Sequence, residues 1–103
     1  MPPNPPQFTI GFTESALEDL RFLKKNEQKV ILDSIQEQLA AQPLVQTRNR
    51  KPLRPNDLSA WEVRMGAHRV FYDVDEANKQ VTVKAVGWKE HNKLFIRGKE
   101  YQL

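Results

Sequence analysis

The sequence contains no cysteine, two histidines and four glycines in 103 residues, and each scarcity excludes a class of protein. Without cysteine there is neither a disulfide to staple a small core nor a thiolate metal site. His68 and His91 sit at no recognised ligand spacing, so no metal centre is expected. Gly11, Gly66, Gly87 and Gly98 are scattered and form no phosphate-cradling loop, so no nucleotide cofactor is expected either. No apolar run is long enough for a membrane span, and the proline-rich start (Pro2, Pro3, Pro5, Pro6) lacks the basic and apolar regions of a signal peptide. A cytoplasmic location is therefore the expectation. A chain of this length holds one small domain, which buries roughly two thirds of the surface its unfolded form exposes.

What is present is unevenly spread. The formal net charge is only +3, but residues 1–47 carry four basic against six acidic residues, while residues 48–103 carry twelve against seven. Six of the nine aromatics (Trp61, Phe71, Tyr72, Trp88, Phe95, Tyr101) share the basic half. Cations interleaved with aromatic rings suit phosphates and unstacked bases, and they also suit an ordinary sheet with surface lysines.

Residues 1–7 read as an extended or disordered segment, and residues 8–103 as a single domain. Phe8, Ile10 and Phe12 alternate with Thr9 and Gly11 as in a half-buried strand. A helix follows, with Thr13 or Ser15 as its N-cap; Ser15 with Glu18 fits a capping box. The stretch Lys24 to Gln28 reads as a short connection with Asn26 as a cap. A second helical period follows in Ile31, Ile35 and Leu39, widened by Leu32 and stopped by Pro43. Gln46 to Asp57 reads as a loop carrying Arg48, Arg50, Lys51 and Arg54. Three strand-like runs come next, Trp61 to Met65, His68 to Val74 and Gln80 to Val86, joined by hairpin-length connections, and Leu94 to Leu103 offers a last strand or an edge cover. The expected fold is α+β: a small antiparallel sheet with an N-terminal strand and a two-helix hairpin packed on one face.

If Gly66 and Ala67 form the turn, Met65 faces His68, Arg64 faces Arg69, Val63 faces Val70 and Glu62 faces Phe71. Trp61, Val63, Met65, Val70 and Tyr72 then share the face that the helices cover, and Glu62, Arg64, Arg69 and Phe71 share the other. Two arginines directly opposite each other repel, so either Glu62 and Asp73 neutralise them or an anion does. In the second case the guanidinium groups hold phosphate, Phe71 offers a surface for a base, and the basic loop tracks the nucleic-acid backbone.

The motifs Leu53-Arg54, Trp61-Glu62-Val63-Arg64, Arg69-Val70-Phe71-Tyr72-Asp73-Val74 and Ala85-Val86-Gly87-Trp88-Lys89 occur in that order over about Phe8 to Phe95. In this the chain resembles the RelE/ParE superfamily of toxins from bacterial type II toxin–antitoxin systems. The resemblance implies a cognate antitoxin and one of two targets. The RelE-like branch cleaves messenger RNA in the ribosomal A site without metal, by attack of the ribose 2′-oxygen on the adjacent phosphate. The ParE-like branch inhibits DNA gyrase and lacks the ribonuclease residues.

For the favoured RelE-like branch, an endoribonuclease, the resemblance implies roles position by position. Arg64 matches a basic residue of the active strand, and Arg69 matches the arginine that holds the scissile phosphate. Lys89 matches a residue assisting charge stabilisation and leaving-group protonation. Arg54 matches an RNA contact, which Arg48, Arg50 and Lys51 would extend along the loop. Glu62 stands where some relatives carry lysine, and Phe95 stands where the family often has a tyrosine; phenylalanine stacks but donates no hydrogen bond. Glu62 and His91 are the two candidates for the general base. A non-catalytic RNA-binding module is a further alternative.

Overall fold

The computed structural model describes residues 7–103, so the expectation for residues 1–6 lies outside the described residues. The elements are β1 (Thr9–Phe12), α1 (Glu14–Phe22), α2 (Lys25–Leu39), β2 (Arg50–Pro52), β3 (Trp61–Met65), β4 (His68–Asp75), β5 (Gln80–Glu90), β6 (Lys93–Ile96) and β7 (Lys99–Tyr101). The strands form one sheet in the order β2-β3-β4-β5-β6-β7, with every neighbouring pair antiparallel. β1 lies off this path and runs parallel to the first half of β5, Thr9 pairing with Gln80 and Phe12 with Val83.

A helix start leaves free amides that a side chain can satisfy. Thr13 caps α1, its Oγ accepting from the Ala16 amide at 3.0 Å. The Ser15–Glu18 capping box is not what starts this helix, because Ser15 already lies within α1 and Glu18 accepts from Arg97 instead. The join to α2 is shorter than the sequence suggests. Only Leu23 and Lys24 separate the helices, Asn26 is already helical, and the Gln28 side-chain amide donates to the Leu23 carbonyl at 2.8 Å.

The helices cover one face of the sheet. Ala16, Leu20, Ile31, Ile35 and Leu39 pack on Val63, Val70, Tyr72, Val81, Val83 and Val86. Each such large apolar side chain, fully buried, contributes roughly 1.5–3 kcal/mol. The inward set on β5 breaks strict alternation, because Val81 and Val83 are followed by Val86. A bulge explains it: Phe71 pairs with Ala85 and Tyr72 with Val83, so Lys84 is the extra residue that resets the faces. The Tyr72 hydroxyl donates to the Pro43 carbonyl at 2.7 Å, and burial pushes its pKa well above the ordinary value.

The opposite face holds a second, smaller core that sequence patterning does not reveal. Phe71, Ala85 and Leu94 are buried there under Leu53, Leu58, Ile96 and Tyr101. The loop expected over Gln46 to Asp57 contains a strand, β2, whose Arg50 to Pro52 pair with Val63 to Trp61. The C-terminal segment is a true hairpin, β6–β7, turning at Arg97 and Gly98, whose φ values of 50° and 78° fit a two-residue turn in which both positions are left-handed.

Candidate functional site

Strand register fixes which side chains share the face away from the helices, because directly paired residues point the same way. Arg64 pairs with Arg69, and Arg69 with Gly87; Lys51 pairs with Glu62, and Glu62 with Phe71. One step further along β5, Lys89 pairs with Leu94, and Leu94 with Tyr101. Lys51, Glu62, Arg64, Arg69, Lys89 and Tyr101 therefore stand on one face. Gly87 keeps the middle of that face open to β6, since a Cβ there would collide with the Phe95 carbonyl oxygen.

Arg69 is the most constrained of these groups, with only 8% of its surface exposed. Its Nη1 donates to the Gly66 carbonyl at 2.8 Å and to the His68 carbonyl at 2.9 Å, which fold the guanidinium against the β3–β4 turn. Its Nε lies 3.9 Å from Glu62 Oε1. Burial moves the Arg69 pKa below its ordinary value; Glu62 opposes the shift and Arg64 adds to it. The charge is retained, because arginine starts far above neutrality.

Glu62 is 5% exposed and faces a cation from each oxygen, Arg69 on one side and Lys51 Nζ at 3.7 Å on the other. Both separations are too long for hydrogen bonds, so its lone pairs are not consumed by the protein. Arg64 is exposed and makes no ion pair among the described residues. Asp73, the other acid expected to neutralise the arginines, is occupied elsewhere: its Oδ1 accepts from the Ala60 amide at 2.7 Å and ties down the loop before β3. Two arginines, a lysine and one carboxylate thus leave a local positive excess able to hold an anion beside a proton acceptor.

Three residues expected at this face are placed otherwise. Arg50 pairs with Val63 and so points to the helix side, where its Nη1 donates to the Gln38 carbonyl in the last turn of α2. There it satisfies a free helix carbonyl and complements the helix dipole. Phe71 has the expected direction but is 0% exposed, sealed in the second core, so its ring has no free surface for a base. Phe95 pairs with Trp88 and lies on the helix side; its ring stacks on Trp88 at 6.1 Å, and Trp88 stacks on Phe22 of α1 at 5.9 Å.

The remaining residues keep surface positions. Arg48 is exposed in the loop before β2, and Arg54 is exposed just after it, in a groove that also contains Lys51, Pro52, Asn56 and Leu103. His91 occupies the left-handed first position of the β5–β6 turn, with φ 51°, and is exposed. Of the two proton-acceptor candidates, Glu62 is next to Arg69 and His91 is at a hairpin tip. His68, on the helix side, faces Glu27 of α2 at 3.2 Å.

Sequence patterning does not mark Tyr101 as a site residue. The fold brings it to the arginine face, where it lines an open cavity of about 290 Å³ with Lys89, Asn92 and Leu94. The one signal in the sequence is Gly98: read as a turn residue, it folds β7 back on β6 and sets Tyr101 opposite Leu94.

Comparison with known proteins agrees with this architecture. Residues 10–92 match the family described as the ParE toxin of type II toxin–antitoxin systems, parDE. No curated protein sequence matches the chain. Among solved structures it resembles the RelBE2 toxin–antitoxin complex of Mycobacterium tuberculosis, with a TM-score of 0.71 and 26% identity over 81% of this chain and 92% of that one. It also shares the fold of an archaeal RelE–RelB complex from Pyrococcus horikoshii, with a TM-score of 0.66 and 18% identity over 82% of this chain and 98% of that one. The isolated RelE toxin of E. coli matches with a TM-score of 0.61 and 23% identity, over 82% of this chain and 86% of that one. With the family matched across most of the described sheet and both helices, this chain belongs to the ParE toxin family within the RelE/ParE superfamily of type II toxin–antitoxin toxins.

Proposed function

We propose that the toxin is a metal-independent endoribonuclease that cleaves messenger RNA on the ribosome, in the bacterial cytoplasm. The observation that supports this best is the cluster of Glu62, Arg69 and Arg64, a proton acceptor beside two guanidinium groups on one sheet face. In this reading the Glu62 carboxylate takes the proton from the ribose 2′-hydroxyl as its oxygen attacks the adjacent phosphorus. Arg69 and Arg64 stabilise the extra negative charge on the pentacovalent phosphate. The Lys89 ammonium donates a proton to the departing 5′-oxygen. Lys51, Arg54 and Arg48 contact the RNA backbone on either side.

A cognate antitoxin holds the toxin in check; the similarity to toxins solved in complex with antitoxins supports such a partner. The deciding experiment is induction of the chain in a bacterium with mapping of messenger RNA ends. Codon-phased cuts, ending in 2′,3′-cyclic phosphate and 5′-hydroxyl and insensitive to chelator, are expected; intact messenger or metal dependence would sink the scheme. A second reading, inhibition of DNA gyrase without nuclease chemistry, is favoured by the description of the matching family as ParE. It predicts inhibited supercoiling with RNA left whole.

A further inference from the structure

The β6–β7 hairpin brings Leu94 and Tyr101 to the arginine face, but its ladder to β5 is short: Trp88, Lys89 and Glu90 against Phe95, Leu94 and Lys93. Beneath its far end lies a cavity of about 530 Å³, lined in part by Asp19, Leu58, Ala85, Ile96, Arg97 and Tyr101. Ile96 and Tyr101 pack there against the Phe71–Ala85–Leu94 core, and the Arg97–Gly98 turn is not part of that packing. Two contacts from the turn reach α1 instead. Gly98 lies on the Phe22 ring, where a Cβ would press to 3.2 Å, and Arg97 reaches back to two acids.

Arg97 Nη1 donates to Glu18 Oε2 at 2.8 Å, and its Nε lies 2.9 Å from Asp19 Oδ1. Asp19 is 2% exposed, and its other oxygen accepts from the Val86 amide at 3.0 Å. That amide lies on the edge of β5 between the stretch served by β1 and the stretch served by β6. Thr13 serves the same edge by donating its hydroxyl to the Lys84 carbonyl. A buried carboxylate is expensive, with an effective penalty of several kcal/mol unless it is paired. Against that burial the Val86 amide and then Arg97 favour its charged form, Arg97 being the cation beside it, while Glu18 repels it.

We propose that Arg97, gripped by Asp19 and Glu18, is a positioning residue that fixes the β6–β7 hairpin on α1 and thereby holds Tyr101 and Lys89 in place on the arginine face. The catalytic part of this statement rests on the ribonuclease reading; the structural part does not. The test compares wild type, Arg97→Ala, Arg97→Lys and Asp19→Asn in the full chain. Amide exchange over residues 93–101 and nuclear Overhauser effects from the Tyr101 ring to the Phe71–Ala85–Leu94 cluster report the hairpin. Turnover of a defined messenger on bacterial ribosomes reports the site.

In Arg97→Ala the hairpin amides should exchange about tenfold faster or more while β3 and β4 keep their protection. The Tyr101 Overhauser effects should weaken, and kcat should fall about tenfold with KM little changed. Arg97→Lys should recover most of both. Asp19→Asn, which keeps an acceptor for the Val86 amide, should reproduce the loosening and serves if Arg97→Ala does not fold. Unchanged hairpin exchange and Tyr101 Overhauser effects in the variants would overturn the clamp, and a loosened hairpin with unchanged kcat would overturn the positioning role. If the wild type cleaves nothing, the ribonuclease reading and with it the catalytic part fall, while exchange and the Tyr101 Overhauser effects still decide the clamp.

Discussion

Arg64 and Arg69 stand directly opposite each other across the β3–β4 hairpin, yet one is exposed and the other is folded against two backbone carbonyls beside Glu62. The repulsion expected of such a pair is met by geometry as well as by charge. Arg69 is drawn down toward the turn, and Arg64 is left free to swing. A fixed donor beside a freer one suits an anion that must enter, react and leave.

The fixed arginine should matter more. Arg69→Ala is expected to reduce RNA cleavage roughly a hundredfold or more, as removal of a charge-stabilising donor does, and Arg64→Ala should cost less. Single-turnover cleavage by folded variants checks the order. Equal, small losses would remove Arg69 from the centre of the mechanism.

Arg50 and the loop cations should separate cleanly. Arg50→Met leaves the Gln38 carbonyl without its donor and should destabilise the fold by about 1–3 kcal/mol in urea denaturation. RNA affinity should keep its salt dependence in that variant. Replacing Lys51 and Arg54 by alanine should do the reverse, lowering the slope of log affinity against log salt by about 0.7 for each phosphate no longer neutralised, with little change in stability.

Tyr72→Phe removes the hydroxyl that holds Pro43, at the end of the segment leaving α2. The buried carbonyl is left without its donor, so a loss of about 1–3 kcal/mol is expected from denaturant unfolding, with RNA binding unaffected. A change in RNA binding would mean that this hydrogen bond influences the other face.

Stability should carry a signature of Asp19 in acid. Burial raises its folded-state pKa above 3.8, while the Val86 amide and Arg97 pull it down and Glu18 pushes it up. Folding therefore takes up a proton between 3.8 and the raised value, so this group's contribution improves as pH falls through that window and is flat above it. Asp75 works in the opposite sense: its hydrogen bonds from Asn78 lower its pKa, and the stability it lends disappears only as pH falls below 3.8. Thermal unfolding at a series of acidic pH values should show the Asp19→Asn protein lacking the first component and keeping the second. Parallel curves for variant and wild type would contradict the assignment.

Much of the fold is legible in the sequence because local chemistry sets it. Gly66-Ala67 fixes the β3–β4 register, and that register puts Arg64 opposite Arg69 and Val63 opposite Val70. The misplaced residues share a physical cause. Arg50 reads as loop, whereas pairing in β2 decides its face, and a three-residue edge strand carries too little pattern to announce itself. Phe71 has the right direction, but Leu53, Leu58, Leu94 and Tyr101 cover it from segments far away in sequence. Phe95 depends on how β6 pairs with β5, which only the His91-Asn92 turn decides. Pairing between distant segments leaves no periodic mark in either of them.

The parallel seating of β1 on β5 also dictates an order of assembly. Thr13 and its acceptor Lys84 are 71 positions apart, and among the described residues β5 is the one strand that β1 joins. A chain emerging from the ribosome carries its first strand without a sheet to enter until almost the whole β4–β5 hairpin has appeared. Closing so long a loop is slow relative to forming the helices or the β3–β4 hairpin. The arginine face takes Gly87 and Lys89 from β5, so it is completed only when that strand has joined the β3–β4 hairpin.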